Sequence, residues 1–138
     1  MSSEVTAVRF LGSGKDNALL GTYGGTIVNW DTAANRSVSK LTGHLTSCSV
    51  IEVERNANRN VVVSGGFDTN VKLWDMRMKQ SINTYKAHNQ EITCLDISPD
   101  SKMAVSGSKD GTIKFWDISS HRMLHSLKIS AAAHPVCL

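Results

Sequence analysis

Three Trp-Asp dipeptides recur at nearly constant spacing along this chain of 138 residues. They are Trp30-Asp31, Trp74-Asp75 and Trp116-Asp117, and the tryptophans are 44 and 42 residues apart. Each dipeptide closes a run of alternating residues that follows a glycine-containing turn. One motif repeated at a period of about 20 to 50 residues is typical of an array of similar modules. The spacing therefore predicts at least three copies of one structural unit.

The residues around each dipeptide predict β-strands. The segments Leu20 to Asp31, Ser64 to Asp75 and Ser106 to Asp117 align without a gap, and each ends in a short run with β-branched or aromatic residues. Such runs, separated by Gly, Asn and Asp, are typical of β-hairpins. Upstream, Gly43-His44 and Ala87-His88 also repeat at 44 residues. The sequence thus favours an all-β array of strands and tight turns.

Together these motifs resemble the WD-repeat family, whose unit is a four-stranded antiparallel blade of a β-propeller. The resemblance covers nearly the whole chain and implies about three blades, with strands a to d in each. Their expected bounds are about 5–41, 44–85 and 88–127, with the start of a further blade at about 134–138. A propeller ring has about 4 to 8 blades. We therefore expect a partial ring, completed by further blades of a longer protein or in trans.

The resemblance also implies a structural relay in two of the blades. In this family a His before strand a, a Ser or Thr on strand b, an Asp in the b-to-c turn and the Trp of strand c form a hydrogen-bonded chain. A buried indole N–H needs an acceptor, which such a chain provides. The matching sets are His44, Ser64, Asp68 and Trp74, and His88, Ser106, Asp110 and Trp116.

The first blade departs from this pattern. Leu20 stands where the others have Ser, Gly24 stands where they have Asp, and no upstream His is present. Only Trp30 remains of the relay. We expect blade 1 to be the least stable of the three.

Three kinds of catalytic or ligand-binding site can be considered from the residue types, and the sequence argues against each of them. His, Ser and Asp could form a hydrolase triad, but a triad is recognised by geometry and roles, and here the set occurs twice at one spacing, each time with a Trp. No Cys-x-x-Cys is present and His44 to Cys48 stands alone, which argues against zinc. Residues 12–16 suggest a phosphate loop only faintly, because Arg9 replaces the first Gly and a strand follows. We therefore predict no enzyme, cofactor or metal site.

Because consecutive strands of an antiparallel blade run in opposite directions, successive loops are predicted to lie on opposite faces of the propeller. The upper face would carry the d-to-a loops and b-to-c turns, and the lower face the a-to-b and c-to-d loops. Basic residues collect on the lower face, and a basic surface attracts acidic partners, although a solvated rim is the alternative. With 6% aromatic residues and a sequence pI near 8.9, nucleic acid is not an expected partner. The lower-face candidates for partner binding are Arg55, Arg59, Arg77 and Lys79.

On the upper face, aromatic turn tips are residue types that dominate binding energies at interfaces. They could equally cover a neighbouring blade. The upper-face candidates for partner binding are Tyr23, Phe67 and Lys109, with Leu45 beside them.

Within the WD-repeat family, residues 68–88 are most similar to the non-catalytic WD-repeat subunits of katanin-type microtubule-severing complexes. That resemblance implies a regulatory subunit that targets an AAA ATPase to microtubules, spindle poles and cilia. Tubulin has acidic tails, which would complement a basic lower face. The implied partners are the severing ATPase and tubulin, and the implied location is the cytoplasm and the microtubule cytoskeleton.

Two other functions remain open. The segment from Val62 to Arg77 resembles the extended Trp-Asp-x-Arg box through which WD-repeat substrate receptors bind the adaptor of cullin-RING ubiquitin ligases, with Arg77 as the contact. A general WD-repeat adaptor with unknown clients is the third.

The cysteines and apolar runs bear on location. Cys48, Cys94 and Cys137 are an odd number on expected innermost strands, so we interpret them as buried thiols in a reducing compartment. The first residues lack the features of a secretory leader, and no apolar run approaches 18 residues. We expect neither secretion nor a membrane partner.

Overall fold

The computed structural model describes residues 4–11, 17–53, 61–78, 80–120 and 122–129. Those residues form twelve β-strands in three four-stranded antiparallel sheets, without a helix. In that part of the chain nothing resembles a long apolar helix that could cross a bilayer. The predicted all-β fold with three four-stranded blades is confirmed.

Each sheet is a simple meander of four consecutive strands, and each is one blade. Blade 1 contains β1 (Val5–Phe10), β2 (Asn17–Thr22), β3 (Ile27–Asp31) and β4 (Arg36–Leu41). Blade 2 contains β5 (Cys48–Val53), β6 (Val61–Gly66), β7 (Asn70–Asp75) and β8 (Gln80–Lys86). Blade 3 contains β9 (Ile92–Ile97), β10 (Met103–Ser108), β11 (Thr112–Asp117) and β12 (Arg122–Lys128).

Two hydrophobic cores lie between the blades rather than within them. Trp74 of blade 2 packs in one core with Leu19, Ile27 and Leu41 of blade 1. In the second core, Trp116 of blade 3 packs with apolar residues of blade 2, among them Val63, Val71 and Leu73. Each of these two tryptophans therefore faces the preceding blade, and burial of both indoles depends on a neighbour.

Side-chain hydrogen bonds also join the inner strands of successive blades. The Thr6 hydroxyl of β1 donates to the backbone oxygen of Cys48 on β5. One blade later, the Ser49 hydroxyl of β5 donates to the backbone oxygen of Ile92 on β9, at 2.6 Å. The two bonds join residues that are 42 and 43 positions apart in the chain, so they help to fix how each blade is aligned with the next.

The b-to-c turn of blade 1 lies directly on the loop between blades 1 and 2. Gly25 has φ of +85°, and a Cβ there would lie 2.4 Å from the backbone oxygen of His44 and 2.6 Å from that of Thr46. We expect Gly25→Ala to lower the free energy of unfolding by about 1 to 2 kcal/mol, through backbone strain. Urea denaturation should show the loss for Gly25→Ala and little change for the exposed neighbour Gly24→Ala; equal effects would contradict the close packing.

Candidate functional site

A hydrogen-bonded chain runs through the interior of blade 2. The indole Nε1–H of Trp74 on β7 donates to the hydroxyl oxygen of Ser64 on β6, at 2.7 Å. Ser64 Oγ lies 2.6 Å from His44 Nε2, and His44 Nδ1 lies 3.0 Å from Asp68 Oδ2. The structure thus brings together the four residues that the sequence grouped as one relay.

The Asp68 carboxylate connects the relay to the backbone of the upper face. Besides facing His44, it accepts hydrogen bonds from the backbone N–H groups of Leu45, at 2.9 Å, and Asn70, at 3.1 Å. The backbone N–H of the adjacent Phe67 donates to the backbone oxygen of Ser47 at 2.9 Å. The relay therefore fastens the d-to-a loop, residues 44–47, to the b-to-c turn of blade 2.

Blade 3 repeats the arrangement with one additional group. Trp116 Nε1–H donates to Ser106 Oγ at 3.0 Å, and Ser106 Oγ lies 2.8 Å from His88 Nε2. His88 Nδ1 lies 3.2 Å from Asp110 Oδ2 and 2.9 Å from Thr112 Oγ1. Sequence reasoning missed Thr112, whose hydroxyl also donates to Asp110; its only signal is a hydroxyl residue two positions after the turn Asp.

Trp30 lies outside any such relay. Its side chain is half-buried, and no described residue accepts a hydrogen bond from its indole. Blade 1 instead buries Asn29, whose side-chain oxygen accepts from Asn17 Nδ2 at 2.9 Å. The structure thus does not connect Trp30 with the other residues that the sequence assigned to the relay.

The upper-face candidates occupy equivalent positions in three successive turns. Tyr23 and Phe67 are 63% and 47% exposed, and Leu45, in the loop between their blades, is 82% exposed. Lys109 holds the same position in blade 3, where its ammonium lies 3.2 Å from Glu91. The upper face is therefore apolar over blades 1 and 2 and charged over blade 3.

Of the four lower-face candidates, the structure describes only Arg77. Its Nη2 lies 2.8 Å from Asp75 Oδ2 and its Nε lies 3.1 Å from Asp75 Oδ1, while 69% of the side chain stays exposed. The Arg77 guanidinium holds the pKa of the Asp75 carboxyl below its usual range. Arg55, Arg59 and Lys79 lie outside the described residues, as does the expected further blade at 134–138.

Comparison with known proteins settles the family. The family model for the "WD domain, G-beta repeat" matches residues 35–75 and 79–117, which is more than half of the chain. This chain belongs to the WD-repeat family. The two matched segments contain the tryptophans of blades 2 and 3, so the two relays described above lie in the regions that the family model recognises.

Several WD-repeat relatives match only a part of their own length. A guanine nucleotide-binding protein subunit beta from Zea mays is 31% identical over 80 residues, covering 54% of this chain and 21% of the relative. Mitochondrial division protein 1 from Saccharomyces cerevisiae is 29% identical, covering 54% and 13%. Small ribosomal subunit protein RACK1y from Oryza sativa is 32% identical, covering 69% and 28%. The chain thus spans less than a third of each of these relatives.

The electrostatics of the WD-repeat relays favour neutral imidazoles. Burial lowers the pKa of His44 and of His88, outweighing the opposite effect of the neighbouring Asp in each case. Burial raises the pKa of Asp110, but hydrogen bonds from Thr112 and from the backbone of Asn89 outweigh it and bring the pKa to about 2. A neutral His can accept from the Ser hydroxyl at Nε2 and donate to the carboxylate from Nδ1.

These pKa shifts predict an acid-sensitive fold. A His whose pKa is lowered in the folded state binds protons more readily when unfolded, so stability falls as pH drops below the unfolded value of 6.5. We expect the urea midpoint of the protein to decrease steadily from pH 7.5 to pH 5. The decrease should be smaller in His44→Gln than in the native protein. A midpoint that rises toward pH 5 would contradict the buried neutral imidazoles.

The relay geometry also explains what the Ser, His and Asp residues do. Ser64 and Ser106 are fully buried, and each hydroxyl oxygen already accepts from an indole N–H. A hydrolase would need such an oxygen to reach a substrate carbonyl. In both blades the polar set serves the tryptophan and the loop above it.

The described residues contain no group of three or more His, Cys, Asp or Glu side chains placed to hold a metal ion. Cys48 is a free, buried thiol, and burial raises its pKa to about 12. Cys94, which the sequence led us to expect as a thiol, is disulfide-bonded, so that prediction is wrong at this position. Spacing along the sequence gave no indication of this pairing.

Proposed function

We propose that this chain supplies blades of a non-catalytic WD-repeat scaffold that binds other proteins. The observation that carries the proposal is the structural role of the relay in blade 2. Its polar groups are buried and connect the tryptophan to the loop at 44–47, while the side chains at the tips of that loop and of the adjacent turns stay exposed. Rigid loops that present large side chains suit recognition rather than chemistry.

More specifically, we propose that the complete protein is a targeting subunit of a katanin-type microtubule-severing complex, in the cytoplasm and on microtubules. The support is the similarity of residues 68–88 to such subunits and the basic character that the sequence predicts for the lower face. Arg77 contributes to that face with a largely exposed guanidinium. The acidic tails of tubulin are a partner of suitable charge.

Microtubule pelleting of the complete protein tests this proposal. Reversing Arg55, Arg59, Arg77 and Lys79 together to Glu should reduce co-pelleting by about tenfold at low salt, because long-range attraction scales with the charge of the surface. A control variant replaces four lysines nearer the upper face with Glu, which gives the same change in net charge. These residues are Lys40, Lys86, Lys109 and Lys128. Equal losses in the two variants, or no loss in the first, would overturn the lower face as the tubulin contact.

One observation favours a second candidate, a substrate receptor of a cullin-RING ubiquitin ligase. Arg77 of the Trp-Asp-x-Arg segment is held by two bonds to Asp75 and remains 69% exposed, so its guanidinium is oriented in advance for a partner. Pull-downs with Arg77→Ala, probed for the ligase adaptor and for the severing ATPase, separate the two functions. Arg36→Ala, at the corresponding lower end of blade 1, is the control. Loss of the adaptor alone would favour the ligase; retention of the adaptor would exclude Arg77 as its contact.

A further inference from the structure

Three large apolar side chains lie exposed on the upper face, and we call Tyr23, Leu45 and Phe67 the apolar ridge. Their exposed fractions are 63%, 82% and 47%. We propose that the apolar ridge binds a linear acidic segment of a partner protein, in which large apolar residues alternate with carboxylates. This inference rests on the proposed scaffold function and specifies the chemistry of its ligand.

The ridge is continuous because one loop connects all three residues. This loop is formed by residues 44–47. The turn that contains Tyr23 packs on it at Gly25, where a Cβ would lie closest to the backbone oxygens of His44 and Thr46. Leu45 belongs to the loop itself, and Phe67 is bonded to it through the backbone oxygen of Ser47. The three side chains therefore line up across the junction of blades 1 and 2.

The backbone that carries the ridge is also fixed before any partner binds. Asp68 accepts from the N–H of Leu45, and the relay beneath Asp68 is buried as far as Trp74. The N–H of Tyr23 donates to the backbone oxygen of Glu4 at 2.8 Å. A preformed surface loses little conformational entropy on binding, so burying its apolar side chains yields more affinity.

The charges around the ridge select an acidic ligand. The carboxylates of Asp68 and Asp110 face His44 and His88, and Glu91 is paired with Lys109. The exposed lysines at the upper ends of the outer strands, Lys40, Lys86 and Lys128, have no carboxylate partner among the described residues. Glu4, whose backbone oxygen accepts from Tyr23, is an exposed acid at the ridge without a described cation. Lys86 pairs in register with Asn70, three residues beyond Phe67. The unpaired charge described on the upper face is therefore mainly positive, which complements Asp and Glu in a ligand.

Peptide display on the complete protein tests the inference. The probe is a library of random 12-residue peptides, selected in parallel on the native protein and on two triple variants. One variant removes the ridge by Tyr23→Ser, Leu45→Ser and Phe67→Ser. The other is a matched control that removes three apolar side chains elsewhere, by Val38→Ser, Met78→Ser and Ile82→Ser, which are 51%, 64% and 44% exposed. Far-ultraviolet circular dichroism and urea midpoints verify that both variants fold.

We expect the native protein to retain peptides rich in Leu, Phe or Trp together with Asp or Glu. Their dissociation constants should rise about tenfold or more in the ridge variant, as for central apolar contacts in other interfaces, and stay within about twofold in the control. Lys86→Glu should weaken acidic peptides selectively. Selection of basic peptides, or of peptides that bind both triple variants equally, overturns the ridge as the site while leaving a scaffold function in place. Failure to retain any peptide overturns the ridge as a peptide site and leaves the scaffold function to the pelleting and pull-down experiments.

Discussion

Trp74→Ala should lower the free energy of unfolding by about 3 to 5 kcal/mol, the usual range for removing a large aromatic side chain from a core. Trp74 is fully buried between blades 1 and 2, in contact with the apolar residues of both. Its removal leaves a cavity at that junction and deprives Ser64 of its donor. Denaturation of the complete propeller in urea, followed by tryptophan fluorescence and circular dichroism, measures the effect.

Trp30→Ala provides the matched control for that experiment. Trp30 holds the same position in blade 1, but it is half-buried and donates no hydrogen bond to a described residue. We expect a loss of about 1 to 2 kcal/mol for Trp30→Ala in the same chain, since less apolar area is removed from contact. Equal losses for the two substitutions would mean that the relay and the inter-blade core add little to the stability that Trp74 provides.

The contrast between these tryptophans shows what the sequence could predict. The relays of blades 2 and 3 were predictable because the residues recur at fixed spacing and because a buried indole requires an acceptor. That Trp30 takes part in no relay among the described residues was also predictable, from Leu20 and Gly24. The sequence could not indicate that Trp74 and Trp116 face the preceding blade, because that follows from how one sheet packs on the next.

Other features of the site depend on distances that a linear motif does not contain. Thr112 joins the relay of blade 3, whereas blade 2 has Asn70 at that position and makes no such contact. Arg77 was chosen for its charge, and the structure shows that this charge is shared with Asp75. Surface charges counted along the sequence therefore overestimate the field available to a partner, since short-range ion pairs are invisible there.

Asp68 is the position at which fold and candidate binding surface are most closely coupled. Asp68→Ala removes the acceptor for His44 and for the backbone N–H groups of Leu45 and Asn70. Leaving buried donors unpaired costs about 1 to 3 kcal/mol for each group. Because water can reach the exposed loop, we expect a total loss of about 2 to 4 kcal/mol in the free energy of unfolding.

The control for this substitution is Asp31→Ala. Asp31 is also a turn aspartate that accepts from two backbone N–H groups, those of Ala33 and Ala34, but its bonds are exposed to solvent. We expect a loss of about 1 kcal/mol or less for it, since exposed donors can turn to water. Asp68→Asn, which keeps one carbonyl acceptor, should fall between the two, and equal losses for all three would remove the case for a buried relay.

Amide hydrogen exchange distinguishes a local from a global effect of Asp68→Ala. If the carboxylate fastens the loop at 44–47 to the turn of blade 2, the amides of Leu45, Phe67 and Asn70 should lose protection more than those of strands β10 and β11. Local opening of this kind precedes global unfolding when a few hydrogen bonds hold a loop. Because Leu45 and Phe67 are the exposed large apolar side chains carried by that loop and turn, the same substitution should also weaken whatever binds there, even at temperatures where the blades remain folded.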